Sequence, residues 1–257
     1  MSAETTPKLA SIVIPTLNRR LLLERRLPII CSAGFDEVIV VDSTRSIPET
    51  EKTRELCLRL GARYVPARLG RSAARNLGAS IASAEWVFFC DDDGYVVSKI
   101  SREVLRSAAQ GYDALVFANH LVWIFRQPFF VALGGYRENL VAGEDDDITR
   151  RALGSGRVGS AEGIVQGYII APDSVERHSD QWRRLRNQLE YGMTMATFAL
   201  QHPSPKSVIL ASIRKVGLLA KSREETIRLR IAEILMLGLG ISLTLAHLLW
   251  RNGLRSK

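Results

Sequence analysis

A chain of 257 residues, of which 46% are hydrophobic, is able to bury a core as one domain with or without an appendage, which argues against a mainly disordered protein. The formal net charge is +8, but ten basic and only three acidic residues follow Pro203, so the excess lies almost wholly in the tail. A basic tail beside an apolar segment indicates anionic lipid as a partner, and no nucleic acid. Three cysteines without a C-x-x-C pair indicate buried thiols in a reducing compartment.

Strands and helices alternate along the first half of the chain. Strands are predicted at residues 11–15, 37–41, 63–65, 85–90 and 114–117, and helices at residues 21–30, 48–60, 71–81 and 100–110. This order predicts an α/β fold with a mostly parallel sheet flanked by helices. A less regular block follows at residues 134–191. We expect one domain over residues 1–203 and a basic, hydrophobic helical tail over residues 204–257.

Polar residues follow three of the predicted strands. They occupy residues 15–18, 42–44 and 91–93. Ligands of open α/β sheets bind beyond the carboxyl ends of the strands, so these three segments are expected to line one crevice.

The run Asp91-Asp92-Asp93 is the first candidate for chemistry. Three adjacent carboxylates in a confined space raise one another's pKa unless a cation neutralises them. Mg²⁺ and Mn²⁺ prefer such oxygen ligands, together with substrate phosphates. The alternative is a solvated acidic turn that caps a following helix.

A second acidic run covers residues 144–147 and leads into a helical pattern. One or two acids would suit a helix N-terminus, where free N–H groups favour negative charge. Four acids exceed the need of a cap, and a carboxylate beside a substrate hydroxyl could act as a general base.

Six short segments occur in a characteristic order. They are residues 11–19, 40–43, 70–78, 88–93, 134–138 and 143–147. The succession resembles the family 2 glycosyltransferases of GT-A fold, over residues of about 9–190. No single segment is specific to this family, but the six segments together, in this order, are.

The resemblance implies a nucleotide site on the strand ends. The loop after the first strand, Asp42 and the start of the third helix would contact the donor, and Asp42 would meet the base. The implied donor contacts are Pro15, Thr16, Asn18, Asp42, Arg71, Arg75, Asn76, Asp91 and Asp92. The family's usual Asp-Asp-Gly-Ser after the second strand is replaced here by Val-Asp-Ser-Thr, so the base remains open.

The resemblance also implies a metal site and a base. Asp91 and Asp93 correspond to the Asp-x-Asp carboxylates that bind Mn²⁺ or Mg²⁺, with Asp92 as a rival ligand, and a late histidine, His178, could complete the site. Asp145, with Glu144 beside it, corresponds to the general base on the acceptor side.

The implied activity is metal-dependent transfer of a sugar from a nucleotide-sugar to an acceptor hydroxyl, with inversion. The acceptor would be a glycan or a lipid-linked molecule. One alternative is a nucleotidyltransferase, although residues 15–20 lack its glycine-rich loop. A second alternative is a nucleotide-binding scaffold without catalysis.

Trp123 would stack on the acceptor or lie in the core.

The apolar segment at residues 234–250 contains no Lys, Arg, Asp or Glu. Its 17 residues would form a helix of about 25 Å, just short of a bilayer core. Docking on a membrane surface, spanning, and burial in the protein all remain open. Residues 1–8 lack the apolar region of a secretory signal, so we expect the cytoplasmic face of a membrane.

Overall fold

A computed structural model describes residues 7–92, 95–108, 110–117, 122–140 and 143–170, together with residues 189, 235, 237, 238 and 242. Met1–Glu138 and Glu144–Ser174 form one compact unit, and Asn139–Gly143 with Val175–Lys257 form a second. The elements given below all belong to the first unit. The predicted boundary between residues 203 and 204 lies outside the described residues and stays a prediction.

The first unit alternates strands and helices, as predicted, and then adds a reversed strand. In chain order its elements are β1 Ala10–Thr16, α1 Arg20–Cys31, β2 Glu37–Asp42, α2 Ile47–Arg59, β3 Arg63–Pro66, α3 Arg71–Ile81, β4 Trp86–Phe89, β5 Tyr95–Ile100, α4 Arg102–Ala108, β6 Ala114–Phe117, β7 Val122–Arg126, α5 Gln127–Ala132, α6 Glu144–Ser155, β8 Val158–Ser160 and β9 Val165–Ile170.

Seven strands form one sheet in the order β3-β2-β1-β4-β7-β6-β8, and β5 pairs with β9 in a separate two-stranded sheet. Strand β7 runs antiparallel to both β4 and β6, whereas the other neighbouring pairs of the large sheet are parallel. The predicted mostly parallel α/β sheet is therefore confirmed. None of β5, β7, α5, β8 and β9 is predicted from the sequence. Strand β5 lies just before the helix predicted at residues 100–110 and shares only Ile100 with it.

Helices cover both faces of the sheet, as the burial of β1 shows. All seven residues of β1 are buried, as expected for a parallel strand between two helical layers. Side chains alternate along a strand, so Ile12 and Ile14 enter one hydrophobic cluster with residues of α1, and Val13 enters another with residues of α3. The α1 cluster includes Leu23 and Leu27.

Helix α3 lies close to the sheet at Gly78. A Cβ atom on Gly78 would lie 2.3 Å from Cγ1 of Val13, a side chain that is fully buried. We expect Gly78→Ala to lower the free energy of unfolding by about 1–3 kcal/mol through overpacking, despite the better helix propensity of alanine.

Gly154 of α6 is a matched control, because nothing lies within 4 Å of its Cβ position. There, Ala should raise stability by up to about 1 kcal/mol. Urea denaturation followed by circular dichroism measures both changes, and a Gly78→Ala protein as stable as the parent would contradict the packing argument.

In the tail, the structure describes only residues 235, 237, 238 and 242. No helix in the described part of the chain has the length and apolarity that crossing a membrane requires. Most of the apolar segment at residues 234–250 lies outside that part, so its predicted association with a membrane stays a prediction.

Candidate active site

The ends of β1, β2 and β4 meet at one edge of the sheet, as predicted. The Thr16 hydroxyl donates to Oδ2 of Asp92 at 2.7 Å. The backbone N–H of Ser43 donates to the carbonyl of Thr16 at 2.9 Å, and that of Asn18 donates to the Thr44 hydroxyl at 2.8 Å. Three segments far apart in sequence are thus joined by hydrogen bonds.

Asn18 has the one positive φ angle, 56°, recorded for a non-glycine residue in the described chain. Asparagine tolerates this left-handed conformation better than most residues. The turn directs the loop after β1 toward Thr44, while Pro15 remains inside the sheet, paired with Val41.

Asp42 forms part of a pocket of about 570 Å³ beside β2 and β3. Only 1% of the residue is exposed. Its Oδ1 accepts the backbone N–H of Thr44 at 2.9 Å, and its Oδ2 accepts the Tyr64 hydroxyl at 3.3 Å. Burial, followed by the charge of Asp42, raises the pKa of Tyr64, so the phenol remains a hydrogen-bond donor.

Three exposed arginines line the same pocket. They are Arg45, Arg54 and Arg68. A pocket with the carboxylates of Asp42 and Glu51 and three guanidinium groups offers acceptors for a base N–H group and donors for anionic or carbonyl oxygens.

The aspartate run separates into residues with different surroundings. Asp92 is 8% exposed; Thr16 donates to one of its carboxylate oxygens, and Arg19 contacts the other at 3.4 Å. Arg26 donates to its backbone carbonyl. Burial raises the pKa of Asp92, although Arg19 and the Thr16 hydroxyl oppose the rise. Asp92 therefore ties β4 to the loop after β1.

Asp91 is more accessible and faces Arg75. Its side chain is 34% exposed, and its Oδ1 accepts Nη2 of Arg75 at 2.7 Å. Nη1 of the same guanidinium lies 3.2 Å from an oxygen of Glu144 and 3.2 Å from one of Asp145. The guanidinium carbon stands 4.8 Å from the ring centre of Tyr136. Arg75 thereby joins Asp91, Glu144 and Asp145, which we name the acidic cluster.

Glu144 and Asp145 begin helix α6, where free backbone N–H groups favour negative charge. The Glu144 side chain is 5% exposed and lies between two arginines, with Nε of Arg71 and Nη1 of Arg75 each 3.2 Å away. With both neighbours cationic, Glu144 is suited to anchoring the cluster rather than accepting a substrate proton.

Asp145 is suited to accepting a proton. Its side chain is 44% exposed, so a substrate can reach it. Burial raises its pKa to about 6; Glu144 and Asp91 add to the rise, whereas Arg75 and Arg71 oppose it. A carboxylate with a pKa near 6 is ionised at neutral pH and more basic than an ordinary aspartate, which suits a general base.

Asn76 was predicted to contact the nucleotide, and the structure places it against the chain after α5. Its side-chain nitrogen donates to the Tyr136 carbonyl at 2.8 Å and to Glu138 at 3.0 Å, and its oxygen accepts the Tyr136 N–H at 2.8 Å. A Cβ on Gly135, whose φ is 64°, would lie 2.6 Å from that oxygen. Asn76 therefore fixes Tyr136 beneath Arg75.

Two predicted metal ligands, Asp93 and His178, lie outside the described residues. Within the part of the chain that is described, no group of three or more His, Cys, Asp or Glu residues could hold a metal ion. Asp91 offers a partly exposed carboxylate, and oxygen donors of this kind suit Mg²⁺ or Mn²⁺. The acidic cluster has three carboxylates for two arginines, Arg71 and Arg75, which leaves one formal negative charge.

The sequence reasoning missed Tyr64, Tyr136 and the arginines of the Asp42 pocket as site residues. Tyr64 lies in the predicted third strand, and strand position alone gave no signal of contact with Asp42. Trp123, for which two interpretations were open, is 2% exposed and stacks on Phe125 at 5.2 Å. It belongs to the core.

A parallel sheet with a pocket and an acidic cluster at its strand ends belongs to the class of open α/β ligand-binding domains. Residues 11–126 match the family model described as Glycosyl transferase family 2. The match covers less than half of the chain, and it confirms the predicted resemblance to this family.

Two known proteins are similar to this chain. The GalNAc(5)-diNAcBac-PP-undecaprenol beta-1,3-glucosyltransferase of Campylobacter jejuni is 30% identical over 125 residues, which are 45% of this chain and 39% of that protein. The solved mannosyltransferase PcManGT from Pyrobaculum calidifontis, in complex with GDP-Man and Mn²⁺, superposes with a TM-score of 0.57 at 16% identity, over 97% of this chain and 76% of that one. This likeness shows the fold, and the predicted GT-A type is confirmed.

Proposed function

We propose that the protein is a glycosyltransferase that moves a sugar from a nucleotide diphosphate sugar to an acceptor hydroxyl. One observation carries the proposal: a pocket containing Asp42, the accessible Asp91 and the partly exposed Asp145 lie at a single edge of the sheet. Hydrogen bonds link Asp42 to the loop of Asn18 through Thr44, and Arg75 links Asp91 to Asp145. The match to the family model and the fold support the same assignment.

In this proposal the Asp42 pocket holds the nucleoside. Asp42 accepts an N–H group of the base, and Tyr64 orients the carboxylate from the other side. Pro15 and Thr16 at the end of β1 and Asn18 in the loop that follows form the adjacent wall. Arg71 at the first position of α3 contacts the donor phosphates. A guanidinium group suits this role because its N–H donors match phosphate oxygens.

Asp91 and Asp93 would hold a divalent metal ion, Mn²⁺ or Mg²⁺, with His178 as a further candidate ligand. When bound, such an ion offsets charge on the departing diphosphate. The oxygen ligands of the run favour these metals, and the Mn²⁺ in the PcManGT complex supports the choice.

Asp145 serves the acceptor. The acceptor oxygen forms a bond to the anomeric carbon as the bond from that carbon to the diphosphate oxygen breaks. The bonding electron pair leaves with the diphosphate, and the acceptor proton passes to Asp145. A single displacement of this kind inverts the anomeric configuration.

The acceptor in this proposal is a lipid-linked glycan, because the Campylobacter jejuni relative carries undecaprenol in its name. The tail at residues 204–257 would then dock a domain of residues 1–203 on the cytoplasmic face of a membrane. Flotation of the full chain with anionic vesicles tests this; equal flotation of a chain ending at residue 203 would contradict it.

The donor is tested by calorimetric titration of UDP-, GDP- and dTDP-sugars with Mn²⁺. We expect one of them to bind, and we expect Asp42→Ala to weaken that binding about tenfold or more through loss of a hydrogen bond to a charged acceptor. Asp113→Ala is the control, since Asp113 pairs with Arg157 away from the pocket residues. No binding of any donor would overturn the proposed function, and binding without hydrolysis or transfer would favour a scaffold.

A further inference from the structure

The guanidinium of Arg75 has different partners at its two ends. Nη2 donates to Asp91, which follows β4, and Nη1 is shared by Glu144 and Asp145 at the start of α6. Arg75 is 4% exposed, so one buried cation contacts both the donor side and the acceptor side of the proposed site.

The partners of Arg75 differ in accessibility. The Glu144 side chain is 5% exposed, whereas those of Asp91 and Asp145 are 34% and 44% exposed. Glu144 therefore completes a buried ion pair, and the other two carboxylates keep surface for other ligands. An arginine that served the fold alone would need only the buried partner.

The plane of the guanidinium is also fixed. Tyr136 is buried beneath it, and Asn76 holds the backbone of Tyr136 on both its N–H and its carbonyl. A planar group held in this way fixes the direction of each N–H donor, which a flexible ammonium group does not.

We propose that Arg75 is a positioning residue that sets the distance between the donor-side carboxylate Asp91 and the base Asp145. The positive charge of Arg75 also weakens the binding of a metal cation at Asp91. This inference rests on the proposed function and replaces the predicted role of Arg75 as a nucleotide contact.

Removing Arg75 is expected to raise the affinity for a divalent ion and to lower the ionised fraction of Asp145. Without Arg75, the acidic cluster loses a cation, so a divalent ion binds more tightly. The same loss raises the pKa of Asp145 further, so less of the base is ionised at a given pH, and its geometry relaxes. The charged and titratable groups facing Asp145 are Arg71, Arg75, Asp91, Tyr136 and Glu144.

The experiment compares the full-length parent with Arg75→Gln and Arg75→Lys. Mn²⁺ affinity is measured without nucleotide by electron paramagnetic resonance, and donor hydrolysis is measured across pH. We expect Arg75→Gln to bind Mn²⁺ roughly tenfold more tightly, to hydrolyse donor at least roughly tenfold more slowly, and to move the acidic limb of the rate profile up by about one pH unit.

Arg75→Lys keeps the positive charge and loses the planar set of N–H donors. It therefore also tests the proposal if the glutamine variant does not fold. We expect near-parental Mn²⁺ affinity with slower hydrolysis and an unchanged KM for the donor. Parental hydrolysis by the lysine variant would overturn the positioning role.

Arg151→Gln is the control for general damage. Arg151 pairs with the buried Asp147 at 2.6 Å and donates to two carbonyls near α5, but it does not contact the acidic cluster in the described structure. We expect a lower melting temperature with unchanged Mn²⁺ affinity and acidic limb. If the Arg151 and Arg75 variants behaved alike, Arg75 would be structural only. Failure of the parent to bind donor or Mn²⁺ would instead count against the proposed function.

Discussion

Replacing Asp145 by asparagine is expected to reduce sugar transfer by roughly 10²–10⁴-fold, the usual contribution of a general base, while donor binding remains close to parental. Asparagine preserves the size of the side chain and removes its ability to take a proton. The partly exposed Asp145 contacts Arg75 and not the Asp42 pocket, so the nucleoside site should be unaffected. Calorimetric titration of the donor and steady-state transfer separate these two effects.

The pH dependence gives a second test of Asp145. Its pKa is raised to about 6, and the base must be ionised, so parental kcat/KM should fall as pH drops through about 6 and stay level above it. The variant should lack this limb. Because the pKa is raised in the folded protein, ionisation of Asp145 disfavours folding above that pH, and the variant should melt no earlier than the parent.

Asp146→Asn is the matched control, since Asp146 is the exposed neighbour on α6 and has no assigned role. Its transfer rate should stay within about twofold of parental, as for a surface change. A loss equal to that of Asp145→Asn would mean that overall charge at the start of α6, and not a base, supports transfer.

Two variants of the aspartate run are expected to fail in different ways. Asp93→Ala should lose Mn²⁺-dependent donor binding by roughly tenfold or more, because a carboxylate ligand is removed. Asp92→Asn should keep Mn²⁺ affinity within about threefold and lower stability by about 1–3 kcal/mol, because an amide has only one acceptor oxygen and would turn an NH₂ donor toward either the Thr16 hydroxyl or Arg19.

The reason for this division is the environment of Asp92, whose carboxylate oxygens already contact Thr16 and Arg19. Thermal melts without metal and Mn²⁺ titrations of the folded proteins measure the two effects. If Asp92→Asn remained fully stable and lost Mn²⁺ binding, Asp92 would be the ligand and the assignment of Asp93 would be wrong.

Much of the fold followed from hydrophobic pattern. Helix α3 and strand β6 have the predicted bounds. Strand β6 is a short apolar run, whereas α3 begins directly after Gly70 and buries small residues at helical spacing, among them Ala74 and Gly78. Strand β7 is not predicted from the sequence, and its direction could not be predicted either. Its residues suit a strand in either direction, and only its pairing with β4 and β6 determines the reversal.

The location of the site was predictable because strand ends of a parallel sheet converge by topology. The roles within it were less so. Adjacent residues of an extended chain point to opposite sides, and the sequence did not reveal that Asp92 faces Thr16 while Asp91 faces Arg75. Likewise, Arg75 and Asp145 are 70 positions apart, and their contact depends on how α3 and α6 pack. The predicted roles of Asp93 and His178 stay predictions.

Gly78 has a consequence beyond stability. Residues three apart on a helix lie on the same side, so Gly78 and Arg75 share a side of α3. The depth at which α3 rests on β1 is set by the missing side chain of Gly78, and that depth determines how far the Arg75 guanidinium reaches toward Asp91. Tolerance to mutation at this glycine is therefore limited by site geometry as well as by folding, although glycine itself offers no chemical group to the reaction.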